Sequence, residues 1–222
     1  MSIERFVTRL SRFSPPPNCF NPWRGRSAAA KLRKSNLTAY LNQMAAFSPT
    51  MLLVGEAPGY RGCGLTGIPF TSERILVEGA AGLFGDGSNF HIVGQESKPI
   101  SEASATMVWE ALEQTTGRLP LIWNAFPFHP HHAGDKNSNR APNRAELEIG
   151  HMFLRNLLKS FPQIDSIVAV GNQADQMLTR FGLAHRKVRH PSHGGKRDFV
   201  AGLSNIFIET QHLLKEKDGE KH

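Results

Sequence analysis

The stretch Met51–Phe70 has the sequence MLLVGEAPGYRGCGLTGIPF and sets the fold class of the chain. Its first four residues are apolar and indicate a short strand buried on both faces, as in a parallel sheet. Gly55, Pro58 and Gly59 then predict a rigid, sharp turn, because glycine permits backbone angles that other residues resist and proline fixes φ. Open α/β sheets bind ligands at the carboxyl ends of their strands. The glycine-rich loop and its terminal aromatic ring therefore predict a pocket for a flat ligand. Similar turns elsewhere bind nucleotides or no ligand at all.

Composition limits the class of protein. A chain of 222 residues can bury one sizeable core, and its 40% hydrophobic and 20% charged content is typical of a globular protein. An excess of 26 Lys and Arg over 19 Asp and Glu gives a net charge of +7, which favours a polyanionic partner without establishing one. Only two cysteines, Cys19 and Cys63, indicate a reducing compartment. No apolar run has the length of a membrane span.

The first residues form an amphipathic pattern with arginines between apolar positions. Such a pattern resembles a transit peptide, but Glu4 and the short length favour a surface helix docked on the protein. We therefore expect a cytoplasmic monomer, associated with the nucleoid if the source is bacterial.

Predicted strands and helices alternate along the chain. The predicted strands are 51–54, 119–123, 164–170 and 186–189, and the predicted helices are 2–13, 28–47, 72–83, 101–116, 143–160, 173–181 and 197–215. Alternation implies parallel strands and right-handed crossovers. The strand ends at Gly55, Asn124, Gly171 and His190 would then lie along one edge of the sheet. We expect one domain over 1–222, with an N-terminal helical segment 1–47 packed on it and a frayed tail at 216–222.

Several motifs occur in an order that resembles the uracil-DNA glycosylase superfamily, most closely its fourth, bacterial and archaeal family. They are GEAPG at 55–59, GIPF at 67–70, Asn124 at a strand end, NRAPNRAE at 139–146 and HPSHGG at 190–195. The similarity spans Met51–Phe207. It implies an α/β/α sandwich with a central four-stranded parallel sheet. It also implies hydrolysis of the bond between uracil and deoxyribose in DNA, by base flipping, as a step of base excision repair.

The residue types suit that chemistry. An enzyme acting on a base must take it out of the stack, and Phe70 would pack on the flipped base beside Gly55 and Ala57. Asn124 offers a donor and an acceptor that match N3–H and O4 of uracil. By its match to the family motif, His190 would donate to O2 and stabilise the charge on the departing base. The alternative role of Phe70 is that of a core aromatic residue, that of Asn124 is a strand-end cap, and that of His190 is a structural histidine.

Three departures from the family pattern change which residues can activate water, exclude thymine or hold a cofactor. Ala57 stands where the best-known family has an aspartate, so water activation falls to Glu56. Gly59 stands at the position of that family's thymine-excluding tyrosine, which leaves exclusion of thymine to Tyr60 or Glu56. The fourth family holds an iron–sulfur cluster on four cysteines, and this chain has two. We therefore expect no cofactor.

The resemblance also implies a set of DNA contacts. The candidates are Pro58, Gly59, Tyr60, Arg140, Arg144, Pro191, Ser192, His193, Gly194, Lys196 and Arg197. His193 or Arg197 would fill the gap left by the flipped base. The alternative for each basic residue is an ordinary solvated surface position.

The long irregular segment 125–143 contains His129, His131 and His132. Long structured loops are often functional, and this one is expected to contact DNA or cover the pocket. A zinc site is not expected, because no fourth ligand lies nearby in sequence and the spacing differs from closed zinc sites.

Two other functions stay open at this point. One is a non-catalytic relative that binds uracil or abasic sites in DNA without turnover. The other is a nucleotide-binding α/β enzyme whose GEAPG loop holds phosphate.

Overall fold

A four-stranded parallel sheet flanked by helices forms the centre of the fold. The computed structural model describes residues 1–85, 87–94, 98–115 and 119–219, with side chains through residue 210. Its elements are α1 (Ile3–Arg12), β1 (Cys19–Phe20), α2 (Ala28–Phe47), β2 (Met51–Gly55), α3 (Cys63–Thr66), α4 (Glu73–Glu78), α5 (Ala103–Glu113), β3 (Leu121–Asn124), β4 (His129–Pro130), α6 (Arg144–Leu158), β5 (Ser166–Val170), α7 (Asn172–Arg180), β6 (Arg186–Val188) and α8 (Lys196–Gly219). The sheet order is β3-β2-β5-β6, and this confirms the predicted α/β/α architecture.

The central position of β2 explains its sequence. Residues of β2 are buried throughout, because β3 and β5 flank the strand and helices cover both faces of the sheet. In the β2–β3 register, Gly55 lies opposite Asn124. The two strand ends that carry the first and third motifs are therefore neighbours.

Four details differ from the sequence prediction. Helix α4 ends at Glu78 and not at residue 83, because Gly79 turns the chain with φ +91°. A short helix, α3, occupies part of the predicted glycine-rich loop, and the antiparallel pair β1–β4 was not predicted. Helix α8 continues to Gly219 and not only to residue 215, whereas 220–222 lie outside the described residues, and fraying of the tail stays a prediction. None of the described helices combines the length and the hydropathy that crossing a membrane requires.

The N-terminal segment packs on the sheet and on the loop after β2. Phe6 and Leu10 of α1 are buried, and the Phe6 ring meets Trp123 of β3 edge to face. Trp23 Nε1 donates to the Gly67 carbonyl at 3.0 Å, and Arg33 Nε donates to the Leu65 carbonyl at 3.0 Å. These bonds satisfy backbone carbonyls around the end of α3 and so fix the loop from outside.

Candidate active site

A cavity of about 350 Å³ opens at the carboxyl edge of the sheet, where β2 and β3 end. The residues that line it come from six segments of the chain and are Glu56, Ala57, Pro58, Gly59, Gly62, Cys63, Phe70, Thr71, Glu102, Ser104, Asn124, Asn139, Arg140, Ala141 and His190. Five residues predicted for catalysis or uracil binding are among them: Glu56, Ala57, Phe70, Asn124 and His190. The sixth, Gly55, lies directly beneath the Phe70 ring.

The Phe70 ring packs on the backbone of Gly55. A Cβ atom built on Gly55 would overlap Cε2 and Cζ of that ring, so this close approach requires glycine. Phe70 itself has φ +49°, in the left-handed region that a phenylalanine rarely adopts. The Trp109 indole donates to the Phe70 carbonyl at 2.8 Å and supports this backbone conformation. The ring is thus held in one place with part of it exposed to the cavity.

The amide of Asn124 is buried at the floor of the cavity. The residue is 3% exposed, and its side chain has no hydrogen-bond partner within the described residues. Its amide atoms are not among the described side-chain atoms that are sealed from solvent without a partner, so they face the open cavity. The donor and the acceptor of Asn124 are therefore available to a ligand in the cavity.

His190 is fixed in one tautomer. The backbone N–H of Ser192 donates to His190 Nδ1 at 3.2 Å, and the Ser192 hydroxyl lies 2.7 Å from the same nitrogen. Because Nδ1 accepts, a neutral ring carries its proton on Nε2. Burial lowers the pKa of His190, the negative charge of Glu102 raises it, and the charge of His193 lowers it, with a net decrease. The ring is neutral at pH 7 and offers one N–H donor.

Two carboxylates line the cavity. Burial raises the pKa of Glu56, whose side chain has no partner within the residues that the structure describes. Glu102 was missed by the sequence analysis. Its oxygens accept from the backbone N–H groups of Ser104 at 2.9 Å and Ala105 at 2.6 Å, which makes it the N-cap of α5. No motif marks this residue, since only the fold brings the start of α5 to the cavity.

His129 joins the two loops that form the cavity rim. Its Nδ1 lies 2.7 Å from the Pro58 carbonyl and its Nε2 lies 3.0 Å from the Lys136 carbonyl. Burial is the main cause that lowers the pKa of His129, whereas its contacts with the two carbonyls raise it, because a carbonyl oxygen can only accept a hydrogen bond from the ring. Next to it, the Asn139 amide oxygen accepts from the Tyr60 backbone N–H at 3.2 Å.

The predicted DNA contacts are distributed unevenly around the cavity. Pro58, Gly59 and Arg140 line it, whereas Ser192 and His193 line an adjoining cavity of about 460 Å³ that shares His190. The remaining candidates, which are Tyr60, Arg144, Pro191, Gly194, Lys196 and Arg197, line neither of these two cavities. Their contacts with DNA stay predictions.

Several of these candidates also have structural partners. Arg140 forms a two-pronged pair with the buried carboxylate of Glu146, at 2.6 and 2.8 Å, and this pair anchors the capping box that starts α6. Lys196 pairs with Glu110 at 2.7 Å and thereby ties α8 to α5. The structure therefore gives Arg140 and Lys196 roles in holding the cavity walls together.

The positions of the side chains that could act as ligands determine whether the protein can hold a metal ion or cluster. The described residues contain no group of three or more His, Cys, Asp or Glu side chains that could hold a metal ion. Cys19 hydrogen-bonds to Glu146, and Cys63 is buried in the cavity wall. These two are the chain's only cysteines, so a cluster with four cysteine ligands does not fit.

Comparisons with known proteins identify a structural neighbour. No protein-family model and no curated protein sequence match the chain. The structure is similar to the crystal structure of wild-type SMUG2 from Pedobacter heparinus, with a TM-score of 0.65 and 18% sequence identity over 94% of this chain and 96% of that chain. At this identity the likeness shows a shared fold over nearly the whole of both chains.

Proposed function

We propose that this protein is a monofunctional DNA glycosylase that hydrolyses the N-glycosidic bond of uracil, or of a related deaminated base, in DNA. The unpartnered, buried amide of Asn124 carries the proposal, because it faces a cavity that also holds a fixed aromatic ring and a neutral imidazole donor. The fold neighbour SMUG2 is a glycosylase of the uracil-DNA glycosylase superfamily, which supports the same class of reaction.

A flipped base would pack its face on the Phe70 ring. Its edge would then meet Asn124, whose amide N–H donates to O4 and whose carbonyl accepts from N3–H. Thymine and uracil share this edge, so discrimination between them depends on space near C5 of the base. Cytosine presents the reversed pattern and would leave polar groups unpaired.

His190 would stabilise the departing base. Cleavage of the glycosidic bond leaves negative charge on the base and positive charge on the sugar. A neutral Nε2–H held in place by Ser192 can donate to O2 without transferring its proton, and preorganised donors of this kind contribute about 10²–10³ in rate. The lowered pKa of His190 keeps this form populated at neutral pH.

Glu56 is the carboxylate that we assign to the attacking water. A buried carboxylate with a raised pKa is a better base than an exposed one, and Glu56 has no competing partner among the described residues. It would accept a proton from water as the oxygen attacks C1′ of the sugar. The products are the free base and an abasic site.

A base-release assay tests the proposal. Duplex and single-stranded oligonucleotides containing uracil, hypoxanthine, xanthine or G·T mismatches are incubated with the protein, and alkali then converts abasic sites into strand breaks. We expect breaks at uracil or another deaminated base, and His190→Ala should lower the single-turnover rate at least about 100-fold. His91→Ala is the matched control, since this exposed histidine is not among the residues that line the cavity.

The outcomes separate the alternatives. Tight binding to uracil-containing DNA without base release would support the non-catalytic relative. Stabilisation by free nucleotides with indifference to uracil in DNA would support the nucleotide-binding enzyme. If the loss of folding stability in His190→Ala accounts for its loss of activity, His190 is a structural histidine.

A further inference from the structure

The positive charge of this chain is concentrated in its first 34 residues. That segment contains eight basic residues and one acidic residue, Glu4, which gives a net charge of +7. The rest of the chain has eighteen basic and eighteen acidic residues and is neutral, so the segment carries the whole net charge. The eight basic residues are Arg5, Arg9, Arg12, Arg24, Arg26, Lys31, Arg33 and Lys34.

These side chains lack carboxylate partners. None of the eight takes part in an ion pair within the described residues, whereas eight of the Lys and Arg side chains described elsewhere, among them Arg74, Arg140 and Lys196, pair with acids. Arg33 bonds to backbone carbonyls, and Arg9 contacts a methionine sulfur. Six of the eight are exposed: Arg5, Arg9, Arg12, Arg24, Arg26 and Lys31. Their charges are therefore available to a partner.

Part of this basic segment lies at the same edge of the sheet as the cavity. Strand β1 pairs with β4, which follows the carboxyl end of β3. Arg12 precedes Phe13, whose ring stacks on Phe128 at that edge with centroids 5.2 Å apart. Arg24 follows Trp23, which bonds to Gly67 in the loop that forms the cavity wall. Arg12 and Arg24 thus adjoin residues that pack at this edge, and Arg26 follows two residues after Arg24 in the chain.

We propose that this basic segment binds the phosphates of duplex DNA that flanks the flipped nucleotide. The inference rests on the proposed function, and it adds a second contact surface outside the base pocket. Exposed arginines without partners match phosphate, which they bind in a two-pronged manner. A lipid surface is a poorer match, since Met1 is the only large exposed hydrophobic residue of the segment.

A charge-matched pair of variants tests this surface. The test variant is Arg12→Gln/Arg24→Gln/Arg26→Gln. The control is Arg155→Gln/Lys159→Gln/Arg180→Gln, which removes the same charge from the ends of α6 and α7, at the opposite edge of the sheet. Binding of each protein to undamaged duplex DNA is measured by fluorescence anisotropy over a range of salt concentrations.

We expect the test variant to bind undamaged duplex about tenfold more weakly and to lower the slope of log K against log salt by about 2–3, whereas the control changes little. Equal losses in both variants would overturn the inference, because net charge alone would explain them. An unchanged test variant would also overturn it. Base release by the unsubstituted protein is scored separately, so failure of the proposed function is distinguishable from failure of this surface. Thermal unfolding checks that all variants are folded.

Discussion

Replacing Gly55 with alanine places a methyl group in the space that the Phe70 ring occupies. The nearest atoms to such a methyl group are Cε2 and Cζ of Phe70, followed by Oδ1 of Asn124 at 3.2 Å. The backbone φ of Gly55 lies outside the left-handed region, so alanine introduces no backbone strain of its own. The substitution therefore tests mainly the contact between ring and glycine, with a smaller displacement of the Asn124 amide oxygen.

The expected magnitude follows from the overlap. The ring has to move by more than about 1 Å to reach ordinary contact distance, and displacements of about 1 Å in a site can cost about 100-fold in rate. Overpacking of this kind also destabilises a protein by about 1–3 kcal/mol. We expect Gly55→Ala to show both losses.

A double-mutant cycle with Phe70→Ala isolates the cause. Single-turnover base release and the free energy of unfolding are measured for both single variants and for the double variant. If the overlap is responsible, Gly55→Ala costs much less in the Phe70→Ala background, where the ring is absent and the nearest remaining atom to the methyl group is the Asn124 amide oxygen. An equal cost in both backgrounds would refute the reasoning, and the unfolding measurement decides this even if no base is released.

Three further predictions concern recognition, pH dependence and thiol reactivity. Asn124→Asp replaces the donating amide with an acceptor, so uracil release should fall and a slight release of cytosine should appear in the oligonucleotide assay; unchanged uracil release would mean that Asn124 does not contact the base. Because burial raises the pKa of Glu56, the rate of base release should fall as the pH drops through this raised pKa and the carboxylate is protonated. Glu56→Gln should be about 100-fold slower and lose this acid limb, and a retained limb would assign it to another group. Burial and the hydrogen bond to Glu146 raise the pKa of Cys19 to about 12, and burial raises the pKa of Cys63. A thiol reagent at neutral pH should therefore label neither cysteine until the protein is unfolded, and mass spectrometry measures this labelling.

The parts of the site that the sequence predicted are those that depend on strand ends. Apolar runs located the strands, and parallel pairing then required their carboxyl ends to meet at one edge. Glu56, Asn124 and His190 follow such ends directly, so their meeting in one cavity could be anticipated. Their roles in uracil cleavage depend on the resemblance and stay predictions.

The parts that the sequence did not predict depend on long-range contacts. Glu102 reaches the cavity only because α5 starts there, and its N-cap bonds have no unusual sequence pattern. The strands β1 and β4 have two residues each and show no periodicity. The pair between Arg140 and the buried carboxylate of Glu146 was not predicted either, since no sequence pattern marked it, and the contact of Arg140 with DNA stays a prediction.

The pairing of β1 with β4 has a consequence for how the protein folds during synthesis. Residues 19–20 pair with residues 129–130, so the partner strand is synthesised about 110 residues later. At typical synthesis rates of about 5–20 residues per second, this delay lasts roughly 5–20 s. Until then, Phe6 and Trp23 lack Trp123, the ring against which both pack in the finished protein. The nascent N-terminal segment should therefore bind chaperones that recognise exposed aromatic residues, and release should coincide with the emergence of β3 and β4.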